Sequence, residues 1–113
     1  MKINKELLKG STATLILSLL NSRAMYGYEI IKVIEVKSNG IFNFKEGTLY
    51  PILHSLEAET LIESYWSDSE GGRKRKYYKI TDKGKLHMEE KKKEWSTFKG
   101  AVDKILWEGI VWE

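Results

Sequence analysis

Four consecutive cations, Arg73-Lys74-Arg75-Lys76, follow the pair Gly71-Gly72. Cations at the tip of a flexible turn can follow the phosphates of a polyanion, and each neutralised phosphate releases bound counterions. Upstream, a helical wheel drawn over residues 45–59 puts Leu49, Ile52, Leu53 and Leu56 in a single apolar stripe. The opposite face carries Thr48, Tyr50, Pro51, His54, Ser55 and Ala58, with almost no charge. A plain surface helix usually carries Lys and Glu there. Hydroxyls and an imidazole on an uncharged face suit hydrogen bonds to phosphates or base edges. A solvated basic turn is the bland reading of the cations; a helix of this kind beside them favours DNA.

Other chemistries lack their residues. There is no Cys and there are only two His, so no disulfide, thiol or zinc chemistry is expected, and His54 has no second ligand near it in sequence. No nucleophile–base–orienter set or metal spacing is present, and Gly71-Gly72 lies in a hairpin rather than before a helix. The expectation is a protein that is not an enzyme and uses no cofactor. The net charge is only +3, so the clustering of cations matters more than their sum. No apolar run approaches the roughly 20 residues needed to span a bilayer. The opening residues show no long apolar segment of a secretory signal, so a cytoplasmic location is expected, with no membrane partner.

These groups need a scaffold, and the periodicities supply one. A chain of 113 residues is one domain's worth of core. Residues 5–21 read as helix 1, with Leu7, Leu8, Leu15, Ile16, Leu19 and Leu20 on one face and small residues from Gly10 to Thr14 interrupting it. Helix 2 spans about Tyr26 to Lys37 and stops at Asn39-Gly40, the glycine suiting the left-handed position past a helix end. Residues 41–44 form a short strand or an extended connector. Helix 3 spans about Lys45 to Glu59, and Pro51 near its start implies a tight or irregular first turn. Strands follow at 61–67 and 74–80, joined by a loop over 68–72. Alternation turns Tyr78 and Ile80 inward and Arg75, Tyr77 and Lys79 outward. Thr81-Asp82 caps a last helix to Leu106, about 37 Å long at ~1.5 Å per residue. Its Trp95, Phe98, Val102 and Ile105, with Leu106 beside them, repeat at 3-4-3 spacing like a coiled-coil seam. A second copy of the chain is the best partner for that stripe. The tail 107–113 is apolar and has no functional account.

Helix-helix-helix-hairpin-helix is the order of a winged helix-turn-helix. The expected fold is mostly α with a small β-hairpin (α+β): a DNA-binding domain over 1–81, then a long C-terminal dimerisation helix and tail over 82–113. The expected DNA contacts are Tyr26, Thr48, Tyr50, Pro51, His54, Ser55, Arg73, Lys74, Arg75 and Tyr77. The alternative is a protein-interaction module without specific DNA binding.

From Leu7 to Leu106 the chain also resembles the PadR family of bacterial transcriptional regulators. The matching segments include Leu8-Lys9-Gly10, Tyr26-Gly27-Tyr28-Glu29-Ile30, Glu46-Gly47-Thr48-Leu49-Tyr50-Pro51, Leu56-Glu57 and Leu61-Ile62-Glu63-Ser64. Trp66, Gly71-Gly72-Arg73, Arg75-Lys76-Tyr77-Tyr78, Ile80-Thr81, Gly84, Trp95 and residues 102–106 continue the match. The resemblance implies a homodimeric repressor on a palindromic operator, with helix 3 in the major groove and the wing on the minor groove or backbone. The last helix would exchange contacts with the partner's helix 1. The length is similar to that of the small subfamily, whose multidrug-sensing members hold a planar aromatic or phenolic effector between subunits. By that likeness Trp95 would stack on the ligand, with Leu7, Gly10 and Thr14 lining the cavity. Lys91 and Lys99 lie one turn either side of Trp95, which would favour an aromatic acid over a cationic dye. Thr60 departs from the pattern: a Gly is common there, and Thr in the left-handed region costs on the order of 1 kcal/mol.

Overall fold

The computed structural model describes residues 3–8, 10–68 and 71–110. Along the chain these form α1 (Lys5–Leu8), α2 (Thr12–Ser22), β1 (Met25–Tyr26), α3 (Gly27–Lys37), α4 (Glu46–Ala58), β2 (Ile62–Asp68), β3 (Lys74–Ile80) and α5 (Asp82–Trp107). The apolar stripes converge on one core. Ile16, Leu17 and Leu20 of α2, Ile30, Ile31 and Ile34 of α3, and Leu49, Leu53 and Leu56 of α4 are all buried. Ile62 and Tyr78 close it from the sheet, and Met88 from α5.

Two expectations change, and the alternative left open at residues 41–44 resolves to a connector. The single first helix is two, because Gly10 lies at φ +86°, where the α-helical ladder cannot continue. Short bonds from Leu7 N–H to Asn4 O and from Ser11 N–H to Leu8 O, both 3.0 Å, mark the break. Tyr26 does not begin a helix; with Met25 it makes an extra strand. The sheet is therefore three-stranded and antiparallel, in the order β1-β3-β2, with Met25 opposite Tyr78 and Tyr26 opposite Tyr77. Two residues are too few for an alternation pattern to reveal. Residues 41–44 contain no strand. They are a connector in which the Phe42 N–H donates to Ser38 Oγ (2.9 Å) and Phe44 is buried.

Helix ends follow from local chemistry. The left-handed residue that closes α3 is Asn39 (φ 54°), with Gly40 (φ 80°) after it. The Asn39 N–H donates to Val36 O and the Gly40 N–H to Glu35 O, a Schellman closure. Thr60 closes α4 in the same way at φ 61°, its N–H donating to Glu57 O and that of Leu61 to Leu56 O. The strain of a β-branched residue there is offset by neighbours. Thr81 Oγ1 donates to Thr60 O (2.7 Å), and Lys83 Nζ donates to Glu59 O (2.9 Å) and Thr60 Oγ1 (3.3 Å). Thr81 also caps α5 by accepting the Gly84 N–H at 3.0 Å. In α4 the Thr48 and Leu49 N–H groups both donate to Lys45 O, giving the tight first turn, and the helix runs on through the exposed Pro51.

Helix α5 begins in the core and leaves it. Gly84 and Met88 are buried, whereas Trp95, Phe98, Ile105 and Leu106 further along are exposed. The projecting helix stretches the chain to 67 × 32 × 21 Å, with a radius of gyration of 16.8 Å against about 13 Å for a compact chain this long. None of the described helices is long and apolar enough to cross a membrane.

Candidate nucleic-acid interface

Leu49, Leu53 and Leu56 pin α4 to the core, so its opposite face must point outward. Thr48, Pro51, His54, Ser55 and Ala58 are exposed there, and none carries a fixed charge. Tyr50 is the exception to the expected wheel: it is half-buried and turned toward the start of α3. A Cβ on Gly27 would overlap its hydroxyl and stand 2.8 Å from Cζ, so Gly27 and Tyr50 lock α3 to α4. Burial, and then the charge of Glu46, raises the Tyr50 phenol above its usual range, so it stays a donor at neutral pH.

The wing divides its cations by strand alternation. Arg73 and Lys74 are exposed at its tip. Arg75 turns to the outer face, its guanidinium carbon 4.4 Å from the Tyr26 ring centroid. On that face Tyr77 stacks on Tyr65 (5.7 Å, 16°) and meets Tyr26 edge-on (5.6 Å, 75°). The aromatic ladder fixes Arg75 beside the sheet, where a free side chain would wander. Lys76 turns to the inner face, 5.6 Å from the Tyr78 ring centroid and 4.0 Å from Glu57 Oε1. Burial is the main cause raising the Tyr78 phenol, with Glu57 and Tyr50 adding to it.

Between α3, α4 and the wing lies a cavity of about 320 Å³, lined by Tyr26, Gly27, Tyr28, Tyr50, Trp66, Arg75, Lys76 and Tyr78. It gathers Tyr26, Tyr50 and Arg75, three of the expected contacts, next to the exposed row from Thr48 to Ser55. Tyr77, packed against Tyr26 and Tyr65, does not line it. Tyr28 and Trp66 are not among the expected contacts, and Lys76 is expected only as one of four wing cations; Tyr28 is 51% and Trp66 66% exposed. The strand register sets Trp66 opposite Lys76.

The residues expected around an effector lie elsewhere. Leu7 and Gly10 are exposed and Thr14 is half-buried. Trp95 is 53% exposed and touches Phe98, with ring centroids 5.9 Å apart. Lys91 is paired with Glu94 (3.4 Å) and Lys99 with Asp103 (2.7 Å). The hydrogen bond from Lys99 chiefly, with its charge and a bond from Trp107, holds the Asp103 carboxyl below its usual range. Val102 is half-buried, and Ile105 and Leu106 are exposed. Residues 111–113 of the tail, like Lys9 and the loop residues Ser69 and Glu70, lie outside the described residues.

Comparison with known proteins gives one family. Residues 16–90 match the model of the transcriptional regulator PadR-like family. A protein of Lysinibacillus sphaericus with no assigned function is 38% identical over 108 residues, covering 96% of this chain and 98% of that one. The transcriptional regulator YqjI of Escherichia coli is 32% identical over 85 residues, 75% of this chain and 39% of that longer protein. Among solved structures, a transcriptional regulator of Clostridium thermocellum superposes with a TM-score of 0.82 at 37% identity, covering 89% of this chain and 98% of its own. A PadR-like transcriptional regulator of Bacillus cereus gives 0.81 at 36% identity, covering 90% and 97%.

Proposed function

The chain belongs to the PadR-like family of transcriptional regulators, and from that premise we propose that it is a homodimeric cytoplasmic repressor released by a small aromatic ligand. As a winged-helix regulator it acts by binding DNA and not by catalysis. The observation that carries the DNA reading is the uncharged exposed row of α4 beside the basic wing. Thr48, Pro51, His54 and Ser55 enter the major groove, and Arg73, Lys74 and Arg75 hold phosphates of the adjoining groove. Tyr26 and Tyr50, half-buried between the two, donate to the backbone that passes over them.

Dimerisation is supported by the continuity of one face of α5. Gly84 and Met88 are buried in the chain's own core, and Trp95, Phe98, Val102 and Leu106 continue their stripe as a largely exposed one. Exposed aromatic and aliphatic side chains in one row are an interface awaiting its other half. The division at residue 81 is thus one of roles, because the first turns of α5 complete the core of the DNA-binding part.

The effector reading rests on Trp95, with Leu7, Gly10 and Thr14 brought to it by the partner. An aromatic carboxylate is favoured by Lys91 and Lys99 only in so far as they leave Glu94 and Asp103 to meet it. Trp fluorescence titration with an aromatic carboxylate and with a cationic dye tests this; tighter binding of the dye sinks the preference. The repressor reading is tested by a gel shift with DNA from upstream of the gene, with and without ligand. Retarded DNA released by an aromatic compound supports it, and DNA that never shifts at low salt favours the protein-interaction alternative.

A further inference from the structure

Glu57 is an acidic residue on the helix proposed to read DNA, on the flank of α4 that meets the wing. Its Oε2 accepts the Ser64 hydroxyl of β2 at 2.5 Å, and its Oε1 lies 4.0 Å from Lys76 Nζ of β3. Both side chains of the ion pair are 36% exposed, so the pair is open to water and ions. Among the described residues, neither Lys74 nor Arg75 has a carboxylate within ion-pair distance; Lys76 has one. The strand register separates them further: Lys76 faces α4 on the inner side of the hairpin, and Arg75 the outer side.

We infer that Glu57 determines specificity by holding Lys76 back from the phosphates, so that the wing contributes less sequence-independent affinity than its four cations allow. The inference rests on the DNA-binding reading of the wing and adds a regulator of it. An unheld Lys76 would add a phosphate contact to every duplex, correct or not, because phosphates carry no sequence. The carboxylate opposes this in two ways: it neutralises the ammonium, and it sets a negative charge beside the path of the backbone. It also carries a geometric part, since Ser64 and Lys76 belong to different strands and Glu57 ties both to α4. Glu57→Gln separates the two roles, because an amide oxygen still accepts the Ser64 hydroxyl but no longer pairs with Lys76.

The test measures binding of the full-length chain to a mixed-sequence duplex across salt, for wild type, E57Q, K76Q, the E57Q/K76Q double variant and R75Q. E57Q should bind more tightly than wild type at low salt. Its advantage should shrink by about threefold between roughly 50 and 200 mM salt, the signature of one added phosphate at a slope of ~0.9. The E57Q/K76Q double variant, which removes both charges, should return to wild-type affinity, and K76Q alone, which leaves the carboxylate unpaired, should bind no more tightly than wild type. Equal or weaker binding by E57Q, or a double variant that keeps the gain, overturns the inference and assigns Glu57 a purely structural role. Failure of the DNA reading itself looks different: wild type then shows no salt-dependent binding, and R75Q does not differ from it.

Discussion

Replacing Gly84 by Ala should unseat α5 from the wing, although alanine is the better helix former. Gly84 is buried in the first turns of α5 beneath the strand that leaves α4. An added Cβ would overlap the Leu61 carbonyl oxygen, stand 3.0 Å from the Leu61 carbonyl carbon and 2.8 Å from Cγ1 of Ile80. Two of these three neighbours are backbone, and that backbone is tied down: Leu61 O accepts the Thr81 N–H at 3.1 Å and the Thr81 hydroxyl at 3.1 Å. Overpacking of this kind costs roughly 1–3 kcal/mol. The intrinsic gain from Gly to Ala in a helix is about 1 kcal/mol and cannot cover the upper part of that range. With the overlap falling on fixed backbone, the cost lies at the upper end and the expected net loss is up to about 2 kcal/mol, at ~4–8 °C in Tm per kcal/mol for a domain of about 100 residues. Gly100 is the internal control. It lies in the same helix with nothing within 4 Å of an added Cβ, so Gly100→Ala should stabilise by up to about 1 kcal/mol. Urea unfolding of both variants at one protein concentration decides the matter, since the proposed dimerisation would make apparent stability depend on concentration. If Gly84→Ala proves as stable as wild type, the packing of α5 on the base of the wing is misjudged.

Three further outcomes are expected. Thr60→Gly removes left-handed strain of about 1 kcal/mol and loses two exposed contacts of the Thr60 hydroxyl, its bond to Glu59 O (2.6 Å) and the Lys83 contact (3.3 Å), so calorimetry should show a higher Tm; a lower one means the threonine contacts outweigh the strain. Arg75→Gln removes the phosphate contact proposed for the wing and should reduce the slope of log K against log salt by about 0.9, read by fluorescence anisotropy on duplex DNA. The Tyr50 and Tyr78 phenols are raised above 10.0 by burial first, so their share of stability is complete below pH 10.0 and is lost as pH rises through their higher folded values. Tyr50→Phe should therefore flatten part of the alkaline fall in stability, and an unchanged alkaline limb contradicts the burial of that hydroxyl.

Much of this molecule was legible because its long elements carry strong periodicity. The stripe Leu49-Ile52-Leu53-Leu56 allows one orientation of α4, and its uncharged outer row follows from that. Thr60 could be marked as a left-handed position by the family pattern, and it lies at φ 61°. What stayed hidden depended on contacts between elements distant in sequence. Strand β1 has two residues and exists only because β3 offers an edge. Tyr50 appears on the outer face of a wheel, yet a missing side chain at Gly27 opens room for its ring. The break at Gly10 lies within a run of small residues, where periodicity is too faint to separate one helix from two. Lys76 reads as one of four equal cations until the strand register sends it toward Glu57.

Footprinting the DNA upstream of the gene tests most directly whether two copies of this chain hold two α4 helices on one face of DNA. Two protected half-sites related by a palindrome are expected, centred about one helical turn or roughly 34 Å apart, with protection lost as salt rises. A single protected half-site, or protection that persists unchanged at high salt, would contradict it.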